Sequence, residues 1–293
     1  MTALDSPSMT MPAAAPAPVT VTPRDLRFST GDARGRAWLG GDPVGTAVFN
    51  ALSLTFPDGE RLFMDAVRQH RHLLSGRLLE EARAFIAQEA IHSREHVGLN
   101  SLLDRAHYPV DAIEAEIRNR ITQIRDRGPM AMLLVTIALE HFTAMMADWF
   151  LKDPRLLAGA PADVARLWQW HAMEETEHKA VAYDVFLAVT QDWTPVERRK
   201  ARNRVMAIVT VMFVRNIAHY AARLLAADGV NPIVAHARVL WYLFGTPGLF
   251  RKSWGAYADW YKADFHPWKH DNRGLLDTWR SHFPAAAVQP RAA

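Results

Sequence analysis

Apolar residues recur every three or four positions along most of this 293-residue chain, which is the spacing of one face of an α-helix. The pattern predicts a long helix that begins near residue 58, and further long helices at about 75–105, 110–127, 130–151, 162–190 and 195–227. Shorter helices follow as far as residue 279, and the alternation typical of strands is absent. The sequence therefore predicts an all-α fold, with Asp58 after Pro57 as the N-cap residue of the first long helix.

Glutamate and histidine follow a regular order on these predicted helices. Glu-x-x-His occurs at residues 89–92 and 175–178, and a lone glutamate on the preceding helix, Glu60 or Glu140, comes before each pair. Residues i and i+3 share a helix face, so each pair can direct a carboxylate and an imidazole at one point. Four helices that supply ligands in this order are typical of ferritin-like di-iron and di-manganese proteins. We therefore expect a ferritin-like four-helix bundle with additional C-terminal helices.

The apolar surroundings of Glu140 indicate that the ligand pattern is not a chance match. Its helix is strongly apolar, and Leu133 and Ile137 share its face. A buried ionised carboxylate is costly unless a cation or a metal ion neutralises it. A salt bridge to Arg83 or Arg94 is the structural alternative, but two Glu-x-x-His pairs in this context favour metal binding.

The expected roles of the ligands follow from charge. Two divalent ions about 3.5–4 Å apart repel each other, and bridging carboxylates offset that repulsion. The assignment is Glu89 and Glu175 as bridges, His92 and His178 on one ion each, and Glu60 and Glu140 as terminal carboxylates. Histidine and carboxylate ligands with open positions suit iron or manganese better than calcium or magnesium. The expected cofactor is two iron ions, with manganese or a mixed iron–manganese pair as alternatives.

Three further residues are candidates for the same centre. His171 shares a helix face with the second Glu-x-x-His pair, so we expect its imidazole beside the ion held by His178. His96 lies one turn beyond His92. Each of the two histidines is either an additional ligand or a group that hydrogen-bonds to a ligand, and the alternative for both is an ordinary buried imidazole. Glu174 is a candidate to orient His92.

Composition narrows the chemistry further. The chain has no cysteine, which excludes disulfides, thiolate zinc sites and iron–sulfur clusters, and its formal net charge of +3 gives no reason to expect nucleic acid as a partner. Residues 1–25 and 284–293 are rich in alanine and proline and are predicted to be disordered tails around a single domain, 26–283. The first residues lack the pattern of a signal peptide, and the longest apolar run, 206–214, is too short to span a bilayer, so we expect a cytoplasmic protein.

Three blocks of sequence resemble a known family. They are Phe56–Arg61, Phe85–His96 and His171–Asp184. The blocks resemble a bacterial family called predicted metal-dependent hydrolases, and the resemblance covers roughly residues 30–280. The spacing of His171 from the second Glu-x-x-His pair is also similar to that of p-aminobenzoate N-oxygenase, a di-iron enzyme with one extra histidine ligand. The first resemblance implies hydrolysis, and the second implies oxygen chemistry with His171 as a ligand.

The favoured interpretation is a di-iron enzyme that activates O2 to oxidise a small organic substrate, with an electron donor that the sequence does not identify. The alternatives are a hydrolase that uses a metal-bound water and a non-catalytic metal-binding protein. The basic segment Glu197–Arg204 precedes an apolar stretch, which allows a contact with a membrane surface. A solvated helix end, whose remainder packs in the core or in a homodimer interface, is the favoured interpretation of that segment.

Overall fold

The computed structural model describes residues 19–284. Residues 1–18 of the predicted N-terminal tail lie outside this range, as does the predicted C-terminal tail apart from Pro284. Residues 19–25 were assigned to the first tail, yet here they run along the helices without forming one, and Val21 and Arg24 are buried. Contacts with distant helices therefore hold residues 19–25 in place, which their composition did not indicate.

The described residues contain α-helices and short 3-10 turns and no strand, so the prediction of an all-α fold is confirmed. The helices are α1 (Pro43–His70), α2 (Gly76–Asn100), α3 (Val110–Arg125), α4 (Pro129–Lys152), α5 (Ala162–His178), α6 (Val181–Val189), α7 (Pro195–Ala227), α8 (Pro232–Phe244), α9 (Leu249–Lys252), α10 (Trp254–Asp259) and α11 (Arg273–Arg280). The predicted ligands lie on α1, α2, α4 and α5. These four helices pack in a ring, α1 on α2, α2 on α5, α5 on α4 and α4 on α1. Their assignment to the ferritin-like class stays a prediction.

The start of α1 differs from its prediction. The expected N-cap at Asp58 is wrong, because the N-cap is Asp42, sixteen residues earlier, whose side chain accepts a hydrogen bond from the first turn. Pro57 lies inside the helix, where its missing N–H leaves the carbonyl of Ser53 without its usual donor. The side-chain amide of Asn100 on α2 donates to that carbonyl at 2.9 Å. A contact between helices thus replaces the lost backbone bond, and α1 continues through the proline.

The helix predicted at 162–190 is interrupted. It ends at His178 as α5 and resumes at Val181 as α6. Lys179 lies in the break and donates to the carbonyl of His270 at 2.8 Å and to the side chain of Asn272 at 2.7 Å. The break therefore falls where a buried ammonium group is bound by the C-terminal part of the chain.

Two clusters of buried apolar side chains flank the predicted ligands. On α1, one cluster includes Leu54 and the other begins at Leu62, and Glu60 lies between them. On α2, Phe85 and Leu99 belong to different clusters and enclose the first Glu-x-x-His pair in the same way. The ligand positions are therefore inside the molecule, between two apolar layers that exclude bulk water.

Two of the helices, α4 and α7, are long and apolar enough to cross a membrane by length and composition. In α4, 67% of the most apolar stretch is buried inside the fold, as in the core helix of a globular protein. The corresponding value for α7 is 39%, and Ile208 and Val211 on its outer face are 52% and 66% exposed. The two helices therefore differ, since α4 is covered by its neighbours and α7 presents an apolar face outward.

Candidate metal centre

Seven buried side chains from four helices meet between the apolar clusters. They are at most 3% exposed: Glu60 on α1, Glu89 and His92 on α2, Glu140 on α4, and His171, Glu175 and His178 on α5. Spacings of three and four residues place the members on α2 and α5 along one face of each helix. The structure thus brings the six ligands assigned from the sequence, together with His171, into one centre.

The donor atoms of these side chains form three close groups, of which two share no residue and can each hold one metal ion. Within each group the three ligand atoms lie within 4.8 Å of one another. We call these two groups site 1 (Glu60, His92 and His171) and site 2 (Glu89, Glu140 and His178). Each site therefore offers at least one carboxylate and one imidazole, as expected for a two-metal centre.

His171 belongs to site 1, and its expected position beside His178 is wrong. Its ring stacks on the ring of His92 with centroids 4.2 Å apart, and its Nε2 lies 3.8 Å from a carboxylate oxygen of Glu60. Residues 171 and 178 are two helical turns apart, which is about 10 Å along the axis of α5. The side chains of His171 and His178 therefore lie on the same face of α5 but are too far apart to bind one ion.

Glu175 occupies the middle of the centre. Its Oε1 lies 2.9 Å from Nε2 of His171 and 3.7 Å from Nδ1 of His92, both in site 1. The same oxygen is 3.5 Å from Nε2 of His178 in site 2. Glu89 also forms a third close group of ligand atoms with His92 and Glu175. Both carboxylates assigned as bridges therefore lie between the two sites.

Each histidine of the centre is held through the ring nitrogen that faces away from it. The three contacts are His92 Nε2 to Glu174 Oε2 at 3.1 Å, His178 Nδ1 to Gln88 Oε1 at 2.9 Å, and His171 Nδ1 to His96 Nε2 at 2.7 Å. Such contacts fix the ring orientation and tautomer of a metal-ligating histidine. Glu174 therefore lies where the sequence placed it, and His96 lies outside both sites, against the back of His171.

Arg24 connects two of these supports. Its guanidinium donates to Glu174 at 3.0 Å and to Glu177 at 2.8 Å. Glu177 in turn accepts a hydrogen bond at 2.9 Å from the amide of Gln88, the residue that holds His178. One arginine from the N-terminal segment thus contacts both buried carboxylates that lie behind the histidines of sites 1 and 2, and Arg280 adds a second positive charge beside Glu177.

The support behind His171 extends to α1. His96 Nδ1 and the hydroxyl of Ser53 lie 2.8 Å apart, and the same hydroxyl donates to the side-chain oxygen of Asn100 at 2.6 Å. All four side chains of this chain of contacts, from His171 to Asn100, are buried. The interruption of backbone hydrogen bonding at Pro57 therefore lies next to the group that orients a metal-site histidine.

Burial and mutual charge shift the protonation of the centre. Burial, and then the neighbouring carboxylates, raise the pKa of Glu60 and of Glu140 well above the ordinary range. Burial also acts to raise the pKa of Glu175, but His178 and His171 hold it well below its usual value. Burial and the nearby His171 lower the pKa of His92. Without metal, the terminal carboxylates Glu60 and Glu140 therefore keep their protons to a higher pH than an ordinary glutamate does.

A pair of cations fits the unsatisfied polar atoms of the centre. Among the described residues, the following buried atoms lack a hydrogen bond: both carboxylate oxygens of Glu60, Glu89 and Glu140, Oε2 of Glu175, Nδ1 of His92 and Nε2 of His178. Buried polar groups normally have a partner, so this concentration needs an explanation. The two arginines considered as salt-bridge partners do not provide it, since Arg83 pairs with Glu80 and Arg94 with Glu95. Metal ions would satisfy these atoms together.

Two cavities reach the centre. The larger encloses about 280 Å³ between α1, α3, α4 and α7, and Glu60 forms part of its wall. The smaller, about 20 Å³, borders His171 and Glu175. Phe56 and Thr143 line both cavities. A space of about 15 Å³ or more admits one water-sized molecule, so the smaller cavity fits a water or a diatomic gas.

Several residues of the centre were missed from the sequence. Gln88 and Glu177 adjoin ligand residues on their helices, and this adjacency is a usable signal, because neighbours of a buried ligand lie close to its layer. No sequence pattern indicated the role of Arg24, because 150 residues separate it from Glu174. No pattern indicated Ser53 either, because its role depends on the course of α1 through a proline.

A family model described as "predicted metal-dependent hydrolase" matches residues 22–271. The chain therefore belongs to this family, and the resemblance noted in the sequence is confirmed. No curated protein and no solved structure matches the chain. The family description and the clustered carboxylates and histidines together support a metal-binding enzyme.

Proposed function

We propose that the protein holds two metal ions, iron or a mixed iron–manganese pair, and uses O2 to oxidise a small organic substrate. The observation that carries this proposal is the pairing of sites 1 and 2 through Glu175, whose Oε1 is within 3.7 Å of imidazole nitrogens from both. Four carboxylates can offset the charge of two divalent ions. Three neutral imidazoles complete a donor set that suits iron and manganese.

The ions would supply Lewis acidity, and iron would also supply the electrons needed to reduce O2. The protein residues orient the ligands and enclose the centre. Glu174, Gln88 and His96 fix the three histidine rings, and the apolar clusters exclude bulk water. Glu60, whose pKa is raised, can hold or release a proton at the wall of the larger cavity. The smaller cavity offers a separate position for O2 beside His171 and Glu175.

Hydrolysis is the second candidate, and the family description favours it. In that reaction a metal ion lowers the pKa of water and polarises an ester or amide carbonyl. The same ligands serve both reactions, so the two candidates differ in the metal and the co-substrate. A hydrolase needs neither O2 nor an electron donor.

Reconstitution of the metal-free protein under anaerobic conditions distinguishes the candidates. Portions are loaded with Fe(II), Mn(II), both ions together, or Zn(II), and metal content is measured after desalting. An oxidase or oxygenase should bind two ions per chain and consume O2 faster with a substrate than without it, and Zn(II) should give no consumption. Cleavage of ester or amide substrates by the Zn(II) form without O2, with no substrate-dependent O2 uptake by the Fe(II) form, would establish hydrolysis instead.

The variant pair Glu175→Ala and Glu80→Ala provides the control. Glu175 lies between the two sites, whereas Glu80 is an exposed glutamate of α2 that pairs with Arg83. Loss of activity in the first variant and full activity in the second would assign turnover to this centre. Equal activity in both variants would place the reaction elsewhere.

A further inference from the structure

The volume and lining of the larger cavity indicate which kind of substrate fits it. Its wall is mostly apolar and includes Phe63 of α1, Ile121 of α3, Leu139 of α4 and Met212 of α7. Its volume of about 280 Å³ is near the lower end of the roughly 300–1,000 Å³ found for small-molecule sites. An elongated aliphatic or aryl-aliphatic group would therefore fill it.

Two buried polar donors of this cavity lack an acceptor. Tyr220 is 1% exposed, and its hydroxyl has no acceptor within residues 19–284. The guanidinium of Arg120 lies beside this hydroxyl and opposes the rise that burial causes in the pKa of Tyr220. Arg120 also lines the cavity, and its buried Nε–H has no acceptor there. In addition, no carboxylate of the described chain lies within ion-pair distance of Arg120, whereas Arg118 pairs with Glu114 at 3.7 Å. A guanidinium without a carboxylate partner, beside a hydroxyl without an acceptor, favours a ligand with an acidic acceptor group.

Contacts between the helices show in which order the lining residues follow one another along the cavity. Arg223 of α7 pairs with Glu116 near the start of α3, and Arg125 near the end of α3 pairs with Asp65 on α1. The end of the cavity lined by Tyr220 therefore adjoins the part of α3 around Glu116, and Arg120 lies one turn further along that helix, beside Tyr220. The opposite end reaches residue 208 of α7.

The candidate metal centre lies beside the middle of the cavity. Glu60 is flanked on the same wall by Phe56 and Phe63. Ile208, at the opposite end from the polar donors, is 52% exposed, so this end of the cavity borders the protein surface. A ligand bound by its acidic end would thus pass Glu60 with its apolar part.

We propose that the substrate is a carboxylic acid with a medium-length apolar chain, whose carboxylate binds Arg120 and Tyr220 and whose chain lies over Glu60. This assignment rests on the proposed function only in naming the ligand a substrate. Binding itself depends on the cavity and is measurable without metal. The carbon presented to the centre is then one along the apolar chain, away from the acidic end.

Calorimetry with metal-free protein tests the proposal, because a carboxylate cannot then bind through an ion. Decanoate and decanol are the probes, since they match in chain length and differ in charge. We expect decanoate to bind at least tenfold more tightly than decanol. Equal affinities, or no binding of decanoate, would overturn the proposal.

Matched variants locate the binding. Arg120→Met should weaken decanoate at least tenfold and leave decanol unchanged, and Arg118→Met, on the exposed side of the same helix, should alter neither. Tyr220→Phe removes a hydroxyl that has no acceptor in the described chain, so it tests the site even if Arg120→Met fails to fold. We expect it to weaken decanoate about threefold to tenfold. Unchanged decanoate affinity in Tyr220→Phe and in folded Arg120→Met would refute the assignment.

The outcome is separable from that of the proposed function. Decanoate binding that depends on Arg120, in a protein whose Fe(II) form consumes no O2, would preserve the ligand class and refute the oxidation. Substrate-dependent O2 consumption, with no effect of the cavity variants on binding, would do the reverse.

Discussion

At the scale of single residues, the four glutamates of the centre are not equivalent. Glu175 contacts histidines of both sites, and Glu89 shares close groups with ligands of both. Glu60 and Glu140 each belong to one site. A carboxylate between two cations neutralises both, so its removal should affect both ions.

Metal content of single variants tests this difference. We expect Glu89→Ala and Glu175→Ala to retain less than one ion per chain, because each removes negative charge from both sites. Glu60→Ala should retain more than one, since site 2 keeps its ligands. Elemental analysis after desalting measures the content, with Glu80→Ala as the control. An empty Glu60→Ala variant beside a fully loaded Glu89→Ala variant would show that the bridging roles are assigned wrongly.

The sequence identified these ligands because helix periodicity converts spacing directly into a shared face. It could not identify their partners equally well. The support of His92 by Glu174 was predictable from adjacency to Glu175, but its continuation to Arg24 depends on a tertiary contact. For His171, helix periodicity gives the direction of the side chain but not which of two ions it reaches.

At the scale of secondary-structure elements, α1 shows how tertiary contacts override local signals. Proline followed by aspartate and glycine is a strong signal for a helix start. Here the helix continues because Asn100 of α2 supplies the donor that Pro57 removed from the carbonyl of Ser53. A single sequence does not contain that pairing, so the continuation of α1 through Pro57 could not be predicted, although Asp42 followed by Pro43 is itself a signal for a helix start. The helices whose ends coincide with a loop proline, such as α7 at Pro195, were predicted correctly.

A double-mutant cycle measures this replacement. Asn100→Ala should lower the free energy of unfolding by about 1–3 kcal/mol, because it leaves the buried carbonyl of Ser53 without a donor. In a Pro57→Ala background the backbone N–H returns, and the same change should cost about 1 kcal/mol less. Urea unfolding of the four proteins gives the values, and Asn119→Ala on exposed α3 is the control. Equal costs in the two backgrounds would show that Asn100 does not compensate for the proline.

At the scale of the whole molecule, the centre links metal binding, folding and pH. Glu60 has a raised pKa, so the metal-free folded chain binds more protons than the unfolded chain above the ordinary glutamate range. Its contribution to stability therefore decreases as pH rises from about 4.5 through the folded pKa. Lys179, with its pKa lowered by burial to about 7, acts in the opposite direction above pH 7. Since Lys179 is not a ligand, its effect is common to the metal-free and metal-loaded forms.

Metal affinity should consequently increase with pH. Ions displace the protons held by Glu60 and Glu140, and each proton released strengthens binding about tenfold per pH unit. Titration with Mn(II) between pH 6 and 8, in buffers of different ionisation enthalpy, gives both the affinity and the number of protons released. Glu60→Gln should release fewer protons. An affinity that does not change over this range would show that the outer carboxylates are already ionised without metal.

The two ends of the described chain meet behind the metal centre. Arg24 donates to the carbonyl of Phe283 at 2.7 Å, and Arg280 of α11 donates to Glu177 at 2.7 Å and to the carbonyl of Thr20 at 2.6 Å. During synthesis on the ribosome, every ligand up to His178 emerges well before residues 280–283. The nascent chain therefore has an interval in which the ligand helices are complete and the contacts of Arg24 and Arg280 are not yet formed. Ions that bind in that interval would be enclosed when residues 280–283 join residues 20–24 behind the centre.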